Sequence, residues 1–227
     1  MGDVKFIKYN AKSEIMYIVI TGDLKSSKKI DNRSLSQDNL KKAIRDVNSN
    51  FNEYIISDFR IIGGDGFQGM ISTCDIIIDI YFSLFETLNH PFYLGIGIGS
   101  ISTPLSNYVQ EIDGEAFHLS SESLNTAKKK NRWIVFRSNL RNNDLIECIF
   151  NFTFDIMWSW TDRRKEIILF YRKHDENTIS IKKAACEFNI GTRNIYKALE
   201  VGKYSMIKYG EMVLENELRR NDRYDPF

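Results

Sequence analysis

"FRIIGGDGFQGMI", residues 59 to 71, decides the fold. Ile61 and Ile62 run into Gly63-Gly64-Asp65-Gly66, and Phe67-Gln68-Gly69-Met70-Ile71 runs out again. Glycine at three of the four central positions predicts a tight hairpin whose turn needs positive φ. Upstream, "EIMYIVITGDL" (14 to 24) is a near-continuous apolar run and predicts a central strand ending at Asp23. "SLSQDNLKKAIRDVNSNF" (34 to 51) carries apolar residues at 40, 44, 47 and 51, the spacing of an amphipathic helix.

Downstream of the hairpin, "CDIIIDIYFSLFETL" (74 to 88) predicts a buried helix. In "FYLGIGIGSIS" (92 to 102), Gly95, Gly97 and Gly99 alternate with apolar residues, leaving one strand face bare for a backbone or a ligand to approach. "GEAFHLSSESLNTAKKK" (114 to 130) reads as a helix with Lys128 to Lys130 at its negative end, and "RWIVFR" (132 to 137) as a closing strand. The order is β-α-β-β-α-β-α-β. Its first six elements predict a ferredoxin-like split unit, an antiparallel sheet with helices on one face, and hence an α+β fold class.

From residue 161 the pattern becomes purely helical. "TDRRKEIILFYRKH" has a cap candidate at Thr161 and an apolar stripe at Ile167, Ile168 and Tyr171. "TISIKKAACEFNIGTRNIYKALEVG" predicts a helix-turn-helix. Ser180 is the cap candidate of its first helix, Ile181, Ala184 and Ala185 face inward, Asn189-Ile190-Gly191 makes the turn and Thr192 caps the second helix. Arg193 and Asn194 would then face base edges and Lys197 a phosphate, so DNA is the predicted partner; the same three-helix unit also serves as a protein-docking module. A last helix is predicted from Tyr204 to Leu218, followed by a fraying polar tail. The expected division is therefore a domain at 1–138, a connecting segment at 139–160 whose aromatics (Phe150, Phe152, Phe154, Trp158, Trp160) pack a junction, and a helical module at 161–227.

Composition narrows the function classes. The 227 residues carry a formal net charge of +1. That balance is uneven: residues 160–227 hold 14 Lys and Arg against 11 Asp and Glu, and the remainder 17 against 19. Basic surface is expected at the C-terminal end. Cys74, Cys148 and Cys186 form no C-x-x-C pair, which argues against a disulfide framework or a zinc site and for a reducing compartment. The start "MGDVKFIKYN" lacks the apolar stretch of a signal peptide, and no apolar run approaches a membrane span, so a cytoplasmic location without membrane contact is expected.

Asp65 taken alone is ordinarily a turn former, and Asp23 could equally cap a turn. Together they end two strands that a split unit places side by side. Two close carboxylates repel one another unless a cation joins them. A hard divalent cation, Mg²⁺ or Mn²⁺, suits that donor pair and could recruit the phosphates of a nucleotide. Gly63, Gly64 and Gly66 would let a triphosphate approach the main chain, N–H groups around Lys25, Ser26 and Ser27 would cradle it, and Lys25, Lys28 or Lys29 would offset its charge.

"TGDLKSS", "GGDGFQG", "GIGIGSIST" and "DGEAFHLSSESL", in that order, resemble the SatD family, bacterial proteins named for an acid-tolerance operon. The similarity extends from about residue 15 to 220 and includes a "WT-R" segment matching Trp160, Thr161 and Arg163 ahead of the helix-turn-helix. The N-terminal part is in turn similar to class III nucleotidyl cyclases and, more distantly, to diguanylate cyclase palms. That resemblance implies a pair of divalent metals held by Asp23, Asp65 and the Leu24 carbonyl, and a homodimer formed through the palm. It also implies an Asn and an Arg stabilising the transition state on a later helix; the matching positions hold His118 and Glu122, so that half of a cyclase site is missing or rebuilt. His118 by itself reads as a packing residue. Three functions stay open: a regulator combining a nucleotide- and metal-binding palm with a DNA-binding helix-turn-helix, an active nucleotidyl cyclase or nucleotidyltransferase whose C-terminal helices dimerise, or a scaffold without activity.

Overall fold

Alternation along one strand explains the layers. In β2 (Ile15–Leu24) the even-numbered side chains Ile18, Ile20 and Leu24 and the odd-numbered Tyr17, Val19 and Thr21 point to opposite faces, and both sets are buried. A strand buried on both faces needs covering layers on both sides. Leu24 lies beside Leu40 of α1 (Arg33–Asn50), and Phe92, opposite Leu24, packs its ring against Tyr81 of α2 (Ile77–Leu88) at 4.8 Å. The even face therefore meets α1 and α2. On the odd face Tyr17 and Val19 join Met70, Ala116 and Phe117 in one cluster, and the Thr21 hydroxyl hydrogen-bonds the Ser120 hydroxyl at 2.8 Å. That face meets α3 (Glu115–Lys130).

The computed structural model describes residues 7–8, 15–26, 32–138 and 140–222. Its sheet has the order β3-β4-β2-β5-β6, with β3 at Ile55–Ile62, β4 at Gly66–Ile71, β5 at Phe92–Gly99 and β6 at Ile134–Arg137; a two-residue β1 (Ile7–Lys8) pairs with the start of β2. The protein is α+β, and β2 sits between β4 and β5, antiparallel to both. In the six elements from β2 to β5 the strands are antiparallel and α1 and α2 share one face. The sheet as a whole departs from that pattern: α3 covers the other face, and β6, reached by this helical crossover, pairs parallel to β5.

The helices after β6 are α4 (Asn143–Trp158), α5 (Asp162–Lys173), α6 (Thr178–Glu187), α7 (Thr192–Val201) and α8 (Tyr204–Asp222). Contacts divide the chain into one unit of residues 1–148 with 215–227 and a second of Ile149–Leu214. In the second unit Ile167, Ile181, Ala184 and Ile195 form a core between α5, α6 and α7, and the Trp160 indole N–H donates to the Gly202 carbonyl at 2.9 Å. Phe150 and Phe154 are buried with rings 5.4 Å apart, but Phe152 is 69% exposed, so it does not pack a junction: helical spacing turns it away from its two neighbours. The helix predicted to stop at Leu218 continues to Asp222, and residues 223–227 of the expected tail lie outside the described residues. None of Cys74, Cys148 and Cys186 is in a disulfide. Among the described residues no helix is long and apolar enough to cross a membrane.

Candidate functional site

The hairpin turn between β3 and β4 sets the site. Gly63 and Gly64 have φ of +62° and +93°, so the left-handed turn requires them. Gly66 has ordinary φ; a Cβ there would press on the carbonyls of Ile62 and Gly22, 3.1 and 3.2 Å away. The turn brings Gly66 directly opposite Asp23, and the Leu24 N–H donates to the Asp65 carbonyl at 3.2 Å. Asp23 and Asp65 thus occupy neighbouring ends of β2 and β4.

The surroundings of the two carboxylates differ. Asp23 continues the odd face of β2, and the Lys128 ammonium reaches it at 2.7 Å from the last turn of α3. Asp65 is half-buried and lines a cleft of about 10 Å³ with Leu24, Gly64 and the α1 residues Arg33, Ser36, Gln37 and Leu40. That is room for roughly one water-sized particle. Among the described residues no group of three or more His, Cys, Asp or Glu side chains converges. Asp23 thus lies against α3 and Asp65 beside α1, the helices that cover opposite faces of the sheet.

Of the residues expected to cradle phosphate, Lys25 is engaged within the chain, whereas Gly63 and Gly64 are open. Lys25 stands between the Trp133 and Tyr93 rings, with its Nζ 4.9 and 5.3 Å from their centroids, and donates to the Asn131 side-chain oxygen at 2.7 Å. The Leu24 and Lys25 amides are both used within the chain, the second donating to the Pro91 carbonyl at 2.7 Å. Ser26 takes positive φ at 54°. Ser27, Lys28 and Lys29 lie outside the described residues. Gly63 and Gly64 are exposed, with nothing near the position a Cβ would take.

His118 and Glu122 sit one turn apart on the solvent side of α3. His118 is no packing residue: its Nε2 lies 3.5 Å from an Asp113 carboxylate oxygen, with both side chains exposed.

Lys128 is the site residue that sequence reasoning missed. The alternating glycines held the signal. A Cβ on Gly97 would fall 2.2 Å from the Ala116 carbonyl and 2.3 Å from the Ser120 nitrogen; one on Gly95 would meet Ser120 and Leu124 as closely. The bare face of β5 thus receives the α3 backbone. Two strand residues rise about 6.8 Å and four helical residues about 6 Å, so the ladder Gly97–Ser120, Gly95–Leu124 next pairs Tyr93 with Lys128. Tyr93 stands directly opposite Asp23. The ammonium arrives there by register.

In the second unit, α6 opens on Asn177 rather than Ser180. The Asn177 side chain accepts from the Ile179 and Ser180 amides, and Ser180 completes a capping box as the third helical residue. Asn189 takes the left-handed conformation at φ 51° in the turn to α7. Gly191, not Thr192, is the cap of α7, with φ −69° and no side chain to accept a bond. On α7 only Ile195 is buried; Arg193, Asn194, Tyr196 and Lys197 are exposed.

A family model described as the SatD family matches residues 17–208. Among solved structures, a bacterial light-regulated adenylyl cyclase is 13% identical over 53% of this chain and 74% of its own, with a TM-score of 0.40. A regulator of polyketide synthase expression from Bifidobacterium adolescentis is 14% identical over 92% of this chain and 82% of its own, with a TM-score of 0.25. No curated protein matches the chain.

Proposed function

The chain belongs to the SatD family, and from that premise we propose a regulatory protein in which a palm-like domain binds a nucleotide through a divalent cation and a helix-turn-helix binds DNA. The observation that carries this reading is the register of β2 and β4, which sets Asp23 opposite Gly66 and joins Leu24 to Asp65 through the main chain. The interleaved order β3-β4-β2-β5 is that of a ferredoxin-like split unit and supports the palm assignment. Asp23, Asp65 and the Leu24 carbonyl would hold Mg²⁺ or Mn²⁺, which when bound would neutralise and orient a polyphosphate. The exposed Gly63-Gly64 main chain is open to phosphate oxygens. Lys128 is the resident counter-charge of Asp23, and cation binding would exchange one positive group for another.

On α7, Arg193, Asn194 and Lys197 form the reading face of the proposed helix-turn-helix. The span 178–208 has six basic residues against two acidic ones, enough to contact a few phosphates. Duplex binding in a gel-shift assay should weaken as salt rises, and Arg193→Ala should cost about tenfold in affinity with the circular dichroism spectrum unchanged. Absence of any shift at low salt would remove DNA from the proposal. Incubation with nucleoside triphosphates and Mn²⁺ separates binding from turnover: a cyclic or transferred product lost in Asp65→Asn would make the protein an enzyme, while Glu122, acidic where a cyclase resemblance implies an Arg, and His118 in place of its Asn lead us to expect none.

A further inference from the structure

The outer edge of the sheet carries a second feature, away from the hairpin turn. Beside the edge strand β3, a groove of about 430 Å³ is lined by Lys41 and Arg45 of α1 and by Asp58 and Arg60 of β3, with Gln110 at its rim. Its floor is fixed. The Asn48 amide donates to the Phe59 carbonyl at 2.9 Å and accepts from the Phe59 N–H at 2.8 Å, clamping α1 to β3.

The two guanidinium groups of this groove donate no side-chain hydrogen bond to a carboxylate among the described residues. The Arg60 guanidinium carbon sits over the Tyr108 ring, 4.3 Å from its centroid, and the Asp58 carboxylate is 3.8 Å away, beyond hydrogen-bond reach. Its Nε is buried with no hydrogen-bond partner. Arg45 is exposed and makes no side-chain hydrogen bond or ion pair among the described residues. Lys41 stands one helical turn before Arg45, so the two like charges repel, and its contact is an exposed 3.3 Å pair with Asp38. Two guanidinium forks and an ammonium facing one groove, unfavourable to one another, suit oxyanions that accept several bonds at once.

We propose that this groove, formed by Lys41, Arg45 and Arg60, is a binding site for a small polyphosphate, either inorganic or carried by a nucleotide, distinct from the Asp23–Asp65 strand end and independent of any metal there. The volume falls in the range of small-ligand pockets. A small ligand is favoured over a nucleic-acid backbone by charge. The unit of residues 1–148 and 215–227 holds 20 Lys and Arg against 22 Asp and Glu, so the groove is a local positive spot on a slightly acidic body.

The test is a calorimetric titration of the full chain with inorganic tripolyphosphate at low salt, with chelator present to exclude divalent cations. Saturable binding is expected, weakened about tenfold or more by Arg45→Glu and by Arg60→Gln. Arg45 is exposed, so its variant should keep the wild-type circular dichroism spectrum. Asp65→Asn and Lys197→Glu should leave the affinity within twofold, which keeps failure of this site distinguishable from failure of the metal site or the DNA-binding face. Titration with ATP under the same conditions separates the two sources: an affinity matching tripolyphosphate means the phosphates are read, a tighter one that the nucleoside is read as well, and either supports the site. No binding, binding that neither arginine variant weakens, or a single-stranded oligonucleotide that displaces tripolyphosphate at lower concentration and is itself lost in Arg45→Glu would overturn the proposal.

Discussion

Glycine does three different jobs in this chain, and only one was legible from composition. Gly63 and Gly64 take positive φ in the hairpin turn, as three glycines in four positions predicted. Gly66 is instead a close approach of β4 to its neighbours. Gly95 and Gly97 admit α3, and the alternation told that something approaches without telling whether it is a backbone or a ligand. Because the obstructing atoms at Gly97 are helical main chain, no rotamer change relieves them. Gly97→Ala should destabilise the N-terminal unit by roughly 3 kcal/mol, read as a shift in the urea midpoint with unchanged slope; a midpoint within error of wild type would mean that α3 yields freely. Gly191 is the opposite case. Its φ of −69° suits any residue and nothing lies near its absent side chain. Gly191→Ser would supply the missing cap of α7 and restrict the unfolded chain, so a gain of about 0.5–1 kcal/mol is expected in the same assay.

Elements were read well where periodicity was strong. The helix predicted at 34 to 51 lies at Arg33–Asn50, and the glycine strand expected at 92 to 102 ends at Gly99. What periodicity cannot carry is which face of a sheet a later helix takes. The three lysines closing α3 were read as partners of its negative end, yet one of them is set by register against Asp23. Local sequence reports the helix; only the β5–α3 ladder reports the lysine's destination. Removing that ammonium leaves Asp23 without its counter-charge. Lys128→Ala should therefore tighten Mn²⁺ binding roughly three- to tenfold, with a weaker dependence on added salt. Weaker binding in that variant would mean that Lys128 helps to hold the ligand rather than to stand in for the cation.

At the scale of the molecule, the change to an all-helical pattern near residue 161 was visible in the sequence, but contacts place the second unit at Ile149–Leu214. Hydrophobic patterning marks where strands stop; it does not mark where a helix passes from one unit to another, as α4 and α8 do. The proposed site was legible in the same partial way. Asp23 and Asp65 stood out because each ends an apolar strand beside glycine, whereas Lys128 is an ordinary surface cation until the fold sets it against Asp23, as are Arg45 and Arg60 until it lines a separate groove with them. The central claim is that Asp23 and Asp65 share one cation. A double-mutant cycle on Mn²⁺ affinity, measured by calorimetry for wild type, Asp23→Asn, Asp65→Asn and the pair, tests it directly. Each single change should abolish most of the binding and the second add little, a coupling of about 1 kcal/mol or more. Independent, additive losses, or no Mn²⁺ binding by the wild type, would contradict it.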